Sequence, residues 1–564
     1  MKFSTIPYNR PDYSYLENQF NDLLNRFDRA THPEEQHTIL SEINRLRSEF
    51  STARSIASIR YTINTQDAFY KEEQKYFDKT TPLFEGLIHR LYRSIIQSKF
   101  RSKLEQQWGK QLFDIAATTL KTFSPEIVSD LQRENELKSS YTRLIASAKI
   151  WFEGEERNLT GLAPFEMSPD RSIRKKAAEA KFGFLSDHQQ ELDTLYDELV
   201  HTRTAMARKL GFENFIGLGY ARLLRTQYGP EEVHHYRNQI LKHAVPIASR
   251  LIERQARLLG MDKMKYYDEP LRFKSGNPRP KGSPDWIIEQ GRIMYHELSP
   301  ETDAFFTFMY DNELMDLINK KGKAGGGYCT FLQKYKAPFI FSNFNGTAHD
   351  VDVLTHEAGH AFQAYLSRNY EVSEYIWPTY EACEIHSMSM EFFTWPWMEL
   401  FFNGEAEKYR FAHLSGAIRF LPYGAAVDEF QHVVYATPEL SPAERRKAWR
   451  QIEKNYLPHR DYDGFAYLEG GGFWQKQSHI YHTPFYYIDY TLAQVCALQF
   501  WIKAHRNQET AWSDYLRLCR AGGSLPFLSL VELADLNSPF SETTLPVVLQ
   551  EVTQWLDRVD DSRL

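Results

Sequence analysis

Residues 356–360 read His-Glu-Ala-Gly-His, two histidines four positions apart with a glutamate between them. On a helix that spacing sets both imidazoles on one face, where their nitrogens can share one metal ion. Glu357 then turns partly away, free to act on a water molecule rather than to bind the metal. The flanks support a helix, because Leu354, Ala358, Ala361, Phe362 and Tyr365 recur at helical spacing. A motif this short also arises by chance, and two helix-borne histidines can equally be a satisfied, half-buried pair. The surrounding sequence has to decide.

A second helical pattern runs from Tyr380 to Glu391. A catalytic zinc commonly takes three protein ligands, and two histidines with one glutamate are a known set. Glu384 is the first choice for the third ligand, with Glu381 and Glu391 on nearby turns; alone, it would read as an ordinary surface acid. A third histidine on the first helix would need Gly and His where the chain has Gln363 and Leu366, so that arrangement is excluded. Asp352 and Glu381 are candidates to orient the ligand histidines.

The combination resembles the M3 family of zinc oligopeptidases, closest to its bacterial oligoendopeptidase F branch and related to the thimet oligopeptidase and neurolysin type. The family pattern is H-E-x-G-H with a glutamate about 25 residues later in an E-x-x-S setting; Gly359, Glu384, Ser387 and Glu391 fit it. The family's internal Met falls one residue off, between Met388 and Met390. A third block agrees: Glu469-Gly470-Gly471-Gly472 precedes His479 and a run containing Tyr486, Tyr487 and Tyr490. In the family a mobile Gly-rich loop leads into such a histidine and tyrosines, which face the substrate carbonyl. Ala207, Gly211, Phe212, Asn214 and Phe215 match a further segment of that branch.

The resemblance implies a mainly α, two-sided neurolysin-like architecture, with a small β-sheet beside the metal and a deep substrate channel. It implies one Zn2+ held by His356, His360 and Glu384, Glu357 as general base, and His479, Tyr487 and Tyr490 as donors to the developing oxyanion, Tyr486 being a close rival to Tyr487. The function implied is a metalloendopeptidase acting on short, unstructured oligopeptides. An exopeptidase, either carboxy- or aminopeptidase, is the alternative within enzymes, although the G-x-M-E-N motif of many H-E-x-x-H aminopeptidases is missing. A helical binding protein with an inert motif is the alternative outside them. With 33 tyrosines in the chain, packing alone also explains a tyrosine cluster.

Composition bounds the rest. The chain has 564 residues and a net charge of −7 with no long basic run, which argues against nucleic acid as a partner. Four scattered cysteines without a C-x-x-C suggest reduced thiols. The start of the chain has no apolar signal core, and no run approaches the roughly 18 apolar residues a membrane span needs. The cytoplasm is the expected compartment, and a monomer is favoured. Residues 1–200 read as an N-terminal helical region and 201–564 as the catalytic region, packed as one unit. Leu16, Phe20, Leu23, Leu24 and Phe27 mark one helical face, and Ile39, Ile43, Leu46 and Phe50 the next. Residues 266–284, rich in Pro and Gly, read as a long loop, and 324–332 and 338–344 as short strands. Gly325 to Gly327 lack the Lys-Ser/Thr ending of a phosphate loop. A small sheet there could hydrogen-bond an extended peptide backbone along its edge.

Overall fold

The two apolar faces expected near the start form the helices Tyr13–Arg29 and Pro33–Ile63, which bury Leu16, Phe20, Leu23, Leu24 and Phe27 in the first and Ile39, Ile43, Leu46 and Phe50 in the second. Asp12 caps the first by accepting from the Tyr15 amide, and Pro33 opens the second where no amide partner is needed. The computed structural model describes residues 2–564, of which 71% are helical.

Most of the apolar side chains of the helices up to residue 119 pack in their own cluster, joined by Val372 and Tyr375 with Tyr370 against it, while Ile56 and Ile59 reach the larger core. From Ile127 onward nearly everything belongs to one larger core. The apolar clusters thus change over near residue 120. The helices Val128–Ala146 and Gln189–Lys209 already pack with the C-terminal half.

The sheets are small. Strands β1 (Ile150–Phe152) and β2 (Glu155–Arg157) form a hairpin. Strands β3 (Met315–Ile318), β4 (Tyr328–Leu332) and β5 (Ala337–Phe344) form a second sheet in the order β3-β5-β4, so β4 lies at an edge. The segment between Leu258 and Pro284 carries no helix or strand, as its Pro and Gly content predicts. Among the described residues no helix is long and apolar enough to cross a membrane. The four cysteines are unpaired.

A cavity of about 1250 Å³ lies among these elements. It is lined by Tyr92, Ile115 and Tyr141 from the first half of the chain, by residues 324–330 leading into β4, and by His356, Glu357 and His360.

A buried ion cluster ties the helices Val128–Ala146 and Gln189–Lys209 to each other and to later segments. Glu134 meets Arg203 Nε at 2.7 Å, Arg222 Nη2 at 2.9 Å and Lys138 Nζ at 3.3 Å. Arg203 also donates to the Tyr435 hydroxyl and to the Ile480 and Tyr481 carbonyls, fixing the segment that leads to the tyrosine run. Burial alone would raise the Glu134 pKa, but Arg222, Lys138 and Arg203 hold it well below the usual carboxylate range. A depressed folded-state value means its contribution is present above the unfolded pKa and fades as pH falls through the folded one. Glu134→Gln should therefore cost about 3–5 kcal/mol at neutral pH, since it leaves buried cations uncompensated. Thermal unfolding should show a lowered Tm whose deficit narrows only in strong acid; an unchanged Tm at pH 7 would remove Glu134 from its stabilising role.

Candidate metal centre and active site

The H-E-x-x-H sequence lies in the helix His349–Ser367, and Glu384 in the helix Tyr380–Phe393. These helices cross so closely at Gly359 that an added Cβ would stand 2.6 Å from Ser387 Cα and 2.7 Å from the His386 carbonyl oxygen. Only glycine fits such a crossing, which explains the fourth letter of H-E-x-G-H. The approach brings His356 Nε2 to 3.2 Å and His360 Nε2 to 3.3 Å from the same Glu384 oxygen, Oε2. Ligand atoms of His356, His360 and Glu384 lie within 4.8 Å of one another, the spacing a single ion requires.

The tautomer of His356 follows from its other nitrogen. Nδ1 stands 2.7 Å from Glu391 Oε1 and donates to it, which leaves Nε2, on the Glu384 side, as the atom that would bind a metal. Glu391 Oε2 in turn takes a hydrogen bond from His413 Nε2 at 2.6 Å. Burial would raise Glu391, but the bonds from His356 and His413 outweigh it and bring its pKa to about 2. It therefore stays a carboxylate that raises the basicity of the ligand imidazole. Tyr409 stacks on His413 at 5.6 Å and donates to Asp352 Oδ1 at 2.6 Å. Asp352 is thus four contacts away from His356, through Tyr409, His413 and Glu391, rather than on it. Glu381 points elsewhere: its electrostatic partners are Arg225 and Tyr228. The sequence signal for Glu391 was its place seven residues after Glu384, on the same helical face.

Glu357 lines the cavity, its Oε2 buried without a hydrogen-bond partner. Burial pushes its pKa up, and His356 and His360 offset this only in part. Gly327, just before β4, leaves room beside it: a Cβ there would lie 3.1 Å from Glu357 Oε1. Of the two glycine runs, Gly325 to Gly327 is the one that lines the cavity. Gly471 instead packs on the Arg446 carbonyl, where its φ of +89° also demands glycine.

The tyrosine block is set by a tight turn. Phe485 has φ +66°, held by its amide donating to Gln431 and its carbonyl accepting from Arg225, which also pairs with Asp489. The helix Tyr487–Arg506 begins immediately after it. Tyr486 donates to Glu384 Oε1, and Ser387 donates to Glu384 Oε2 at 2.8 Å. Gln477 takes a bond from Tyr423 on its oxygen and donates its amide to His479 Nδ1 at 2.7 Å, leaving His479 Nε2–H to donate to Tyr490 at 3.0 Å. Burial lowers the His479 pKa to about 4, so it is neutral near pH 7. Tyr486, Tyr490 and His479 line the cavity; Tyr487 is 9% exposed and packs edge-on against Phe420 and Tyr423. The placement favours Tyr486 over Tyr487 as the second hydroxyl at the site. Gln477 and Tyr423, which fix the His479 tautomer, carry no motif and were not legible in the sequence.

A mainly helical fold with an H-E-x-x-H pair and a distant glutamate converging in its central cavity is the arrangement of a metallopeptidase. The chain belongs to peptidase family M3: residues 295–546 match the model "Peptidase family M3" and residues 3–123 the model "Peptidase M3 N-terminal domain". Solved structures of full length agree. One, provisionally named oligoendopeptidase F, is 60% identical over 100% of both chains with a TM-score of 1.00. Another, PZ peptidase A with an inhibitor, is 59% identical over 99% of this chain and 100% of that one, with a TM-score of 0.99. The group B oligopeptidase PepB of Streptococcus agalactiae serotype III (strain NEM316) is 22% identical over 56% of this chain and 55% of its own. The match to that curated relative thus spans about half of the relative's length.

Two substitutions probe the geometry. Gly359→Ala should force the helices apart, costing about 1–3 kcal/mol in stability and weakening metal binding together. Glu391→Gln should leave the crossing intact yet lower metal affinity roughly 10- to 100-fold. Competition against a chelating indicator reads both; full affinity in Glu391→Gln would remove that residue from its orienting role.

Proposed function

We propose that this protein is a zinc-dependent endopeptidase of short, unstructured oligopeptides. The observation that supports this most is the convergence of His356 Nε2, His360 Nε2 and Glu384 Oε2 beside the buried, unpartnered Glu357 Oε2 on the wall of a large cavity. The donor set, two imidazoles and one carboxylate with an orienting carboxylate behind, fits zinc. A zinc ion held there supplies Lewis acidity that activates water near neutral pH and polarises the scissile carbonyl.

The chain's own groups do the rest. Glu357 accepts the proton of the attacking water and delivers it to the leaving amine, a shuttle for which a raised carboxylate pKa is suited. Tyr490, whose oxygen already accepts from His479, can turn its own proton toward the oxyanion of the tetrahedral intermediate, with Tyr486 beside it at a ring separation of 4.8 Å. Each such donor is worth a few kcal/mol in comparable sites. Strand β4, an edge strand on the cavity wall, suits an extended peptide backbone and makes little demand on side chains. Unpaired cysteines agree with the cytoplasm as the compartment, and we propose a monomer.

Incubating the zinc-loaded protein with peptides of about 5 to 20 residues, with and without chelator, and mapping products by mass should give internal cuts that chelator abolishes. Stepwise loss of terminal residues would favour the exopeptidase reading, and metal binding without any cleavage the inert one. Glu357→Gln should retain zinc and lose nearly all turnover. Tyr490→Phe should lower kcat by roughly 10²–10³ with little change in KM, because its donor acts in the transition state; a pure KM effect would make it a substrate-positioning group.

A further inference from the structure

Lys476 lies on the short turn Phe473–Lys476, three residues before His479, and both side chains line the same cavity. The other cations near it are matched by carboxylates. Lys181 Nζ is 2.9 Å from Glu166, and Arg460 Nη2 is 2.9 Å from Glu269. Arg222, farther along the wall, is bound to Glu134. Lys476 has no such partner among the described residues: its ammonium makes only ring contacts, 3.9 Å from the Phe473 centroid and 5.8 Å from that of Tyr423. Arg460 stands 4.4 Å from the centroid of the same phenylalanine ring, so two cations crowd one aromatic.

Burial, with Lys181 and Arg460 adding to it, lowers the Lys476 pKa to about 7, and Glu166 and Glu269 fail to compensate. A half-desolvated ammonium in a cavity, short of a counter-ion, is a receptor for an anion. The acids that line the same cavity are engaged otherwise: Glu357 and Glu384 at the metal centre, and Glu374 with Arg47 and Tyr92.

We propose that Lys476 anchors a carboxylate of the peptide bound in the cavity, supplied by its C-terminus or by an acidic side chain. The proposal rests on the peptidase reading for the identity of the ligand. It makes Lys476 a specificity determinant: it fixes one point of the peptide by charge, while the edge strand contributes sequence-tolerant contacts along the backbone.

One peptide sequence in three forms tests it: the free acid, the C-terminal amide, and the amide with an Asp replacing a residue near its C-terminus. Affinity is measured on the zinc-loaded Glu357→Gln protein, so that binding is read without cleavage, and turnover of the same peptides is measured on the wild type. The free acid, the Asp-bearing amide or both should bind about tenfold more tightly than the plain amide, the size of one charge-assisted contact. Lys476→Gln in that background should erase the difference and leave plain-amide affinity unchanged; Lys476→Arg should preserve it, and thermal unfolding confirms that each variant folds. Which form gains identifies the source of the carboxylate. Equal affinity for all three, or a preference that survives Lys476→Gln, overturns the anchor even where the wild type cleaves every peptide. A Lys476-dependent preference with no wild-type cleavage would uphold the anchor and overturn the peptidase reading.

Discussion

The close crossing of two helices at Gly359 is the contact from which the rest of the site follows. Two histidines one turn apart can present a pair of nitrogens on any helix. A third ligand about 25 residues downstream reaches the same point only when its own helix approaches to backbone contact. The 2.6 Å separation between an imagined Gly359 Cβ and Ser387 Cα shows how little room remains. Protein interiors are packed densely enough that a methyl group at such a point must shift a whole helix. The glycine therefore sets the position of Glu384 relative to His356 and His360, although its close contacts across the crossing are His386, Ser387 and Met390.

Holding that many charged and polar groups away from water is expensive unless each is matched. The structure matches them in chains rather than in isolated pairs. Glu391 takes bonds from both His356 and His413, and Glu384 takes bonds from Ser387 and Tyr486. On the opposite side Tyr423, Gln477, His479 and Tyr490 form a line in which each bond fixes the proton position of the next. Arg225 anchors the left-handed turn at Phe485 that starts the tyrosine helix, and its other contact is Asp489 on that helix. A strained residue persists where its surroundings over-determine it. Here they do so from three segments: Gln431, Arg225, and Gly219, which offers no Cβ against the Phe485 ring.

What the sequence disclosed and what it withheld divide along a physical line. Local periodicity reports local structure, so the early helices, the loop at 266–284 and the strands near 328 and 338 were legible. The H-E-x-x-H pair and Glu384 were legible because ligand chemistry restricts residue type and spacing at once. The Glu391–His413 pair was not, since it joins two helices through contacts that leave no periodic trace. The tyrosines illustrate the limit most sharply. Tyr486 and Tyr487 are adjacent and chemically identical, and only tertiary placement separates them: Tyr486 lines the cavity while Tyr487 packs against Phe420 and Tyr423. The glycine runs divide similarly: 325–327 meet the cavity and 470–472 do not, a difference of tertiary placement.

The cavity gives these parts a common purpose in the proposed reading. At about 1250 Å³ it exceeds the 300–1,000 Å³ of ordinary small-molecule pockets, yet it lies between two packed helical bodies. An extended peptide, advancing about 3.3 Å per residue, can lie along one wall of such a space, whereas a folded domain with a radius of gyration near 13 Å cannot enter it. Selection by size then needs no recognition sequence, and the polar groups are left to position the backbone and to fix the ends. The metal centre and its acids occupy one part of the cavity wall and the unmatched ammonium of Lys476 another, so the cavity is electrostatically uneven along its length. A peptide that carries a carboxylate has a preferred direction in such a field, and direction is what a hydrolytic site needs before it can choose which bond to cut.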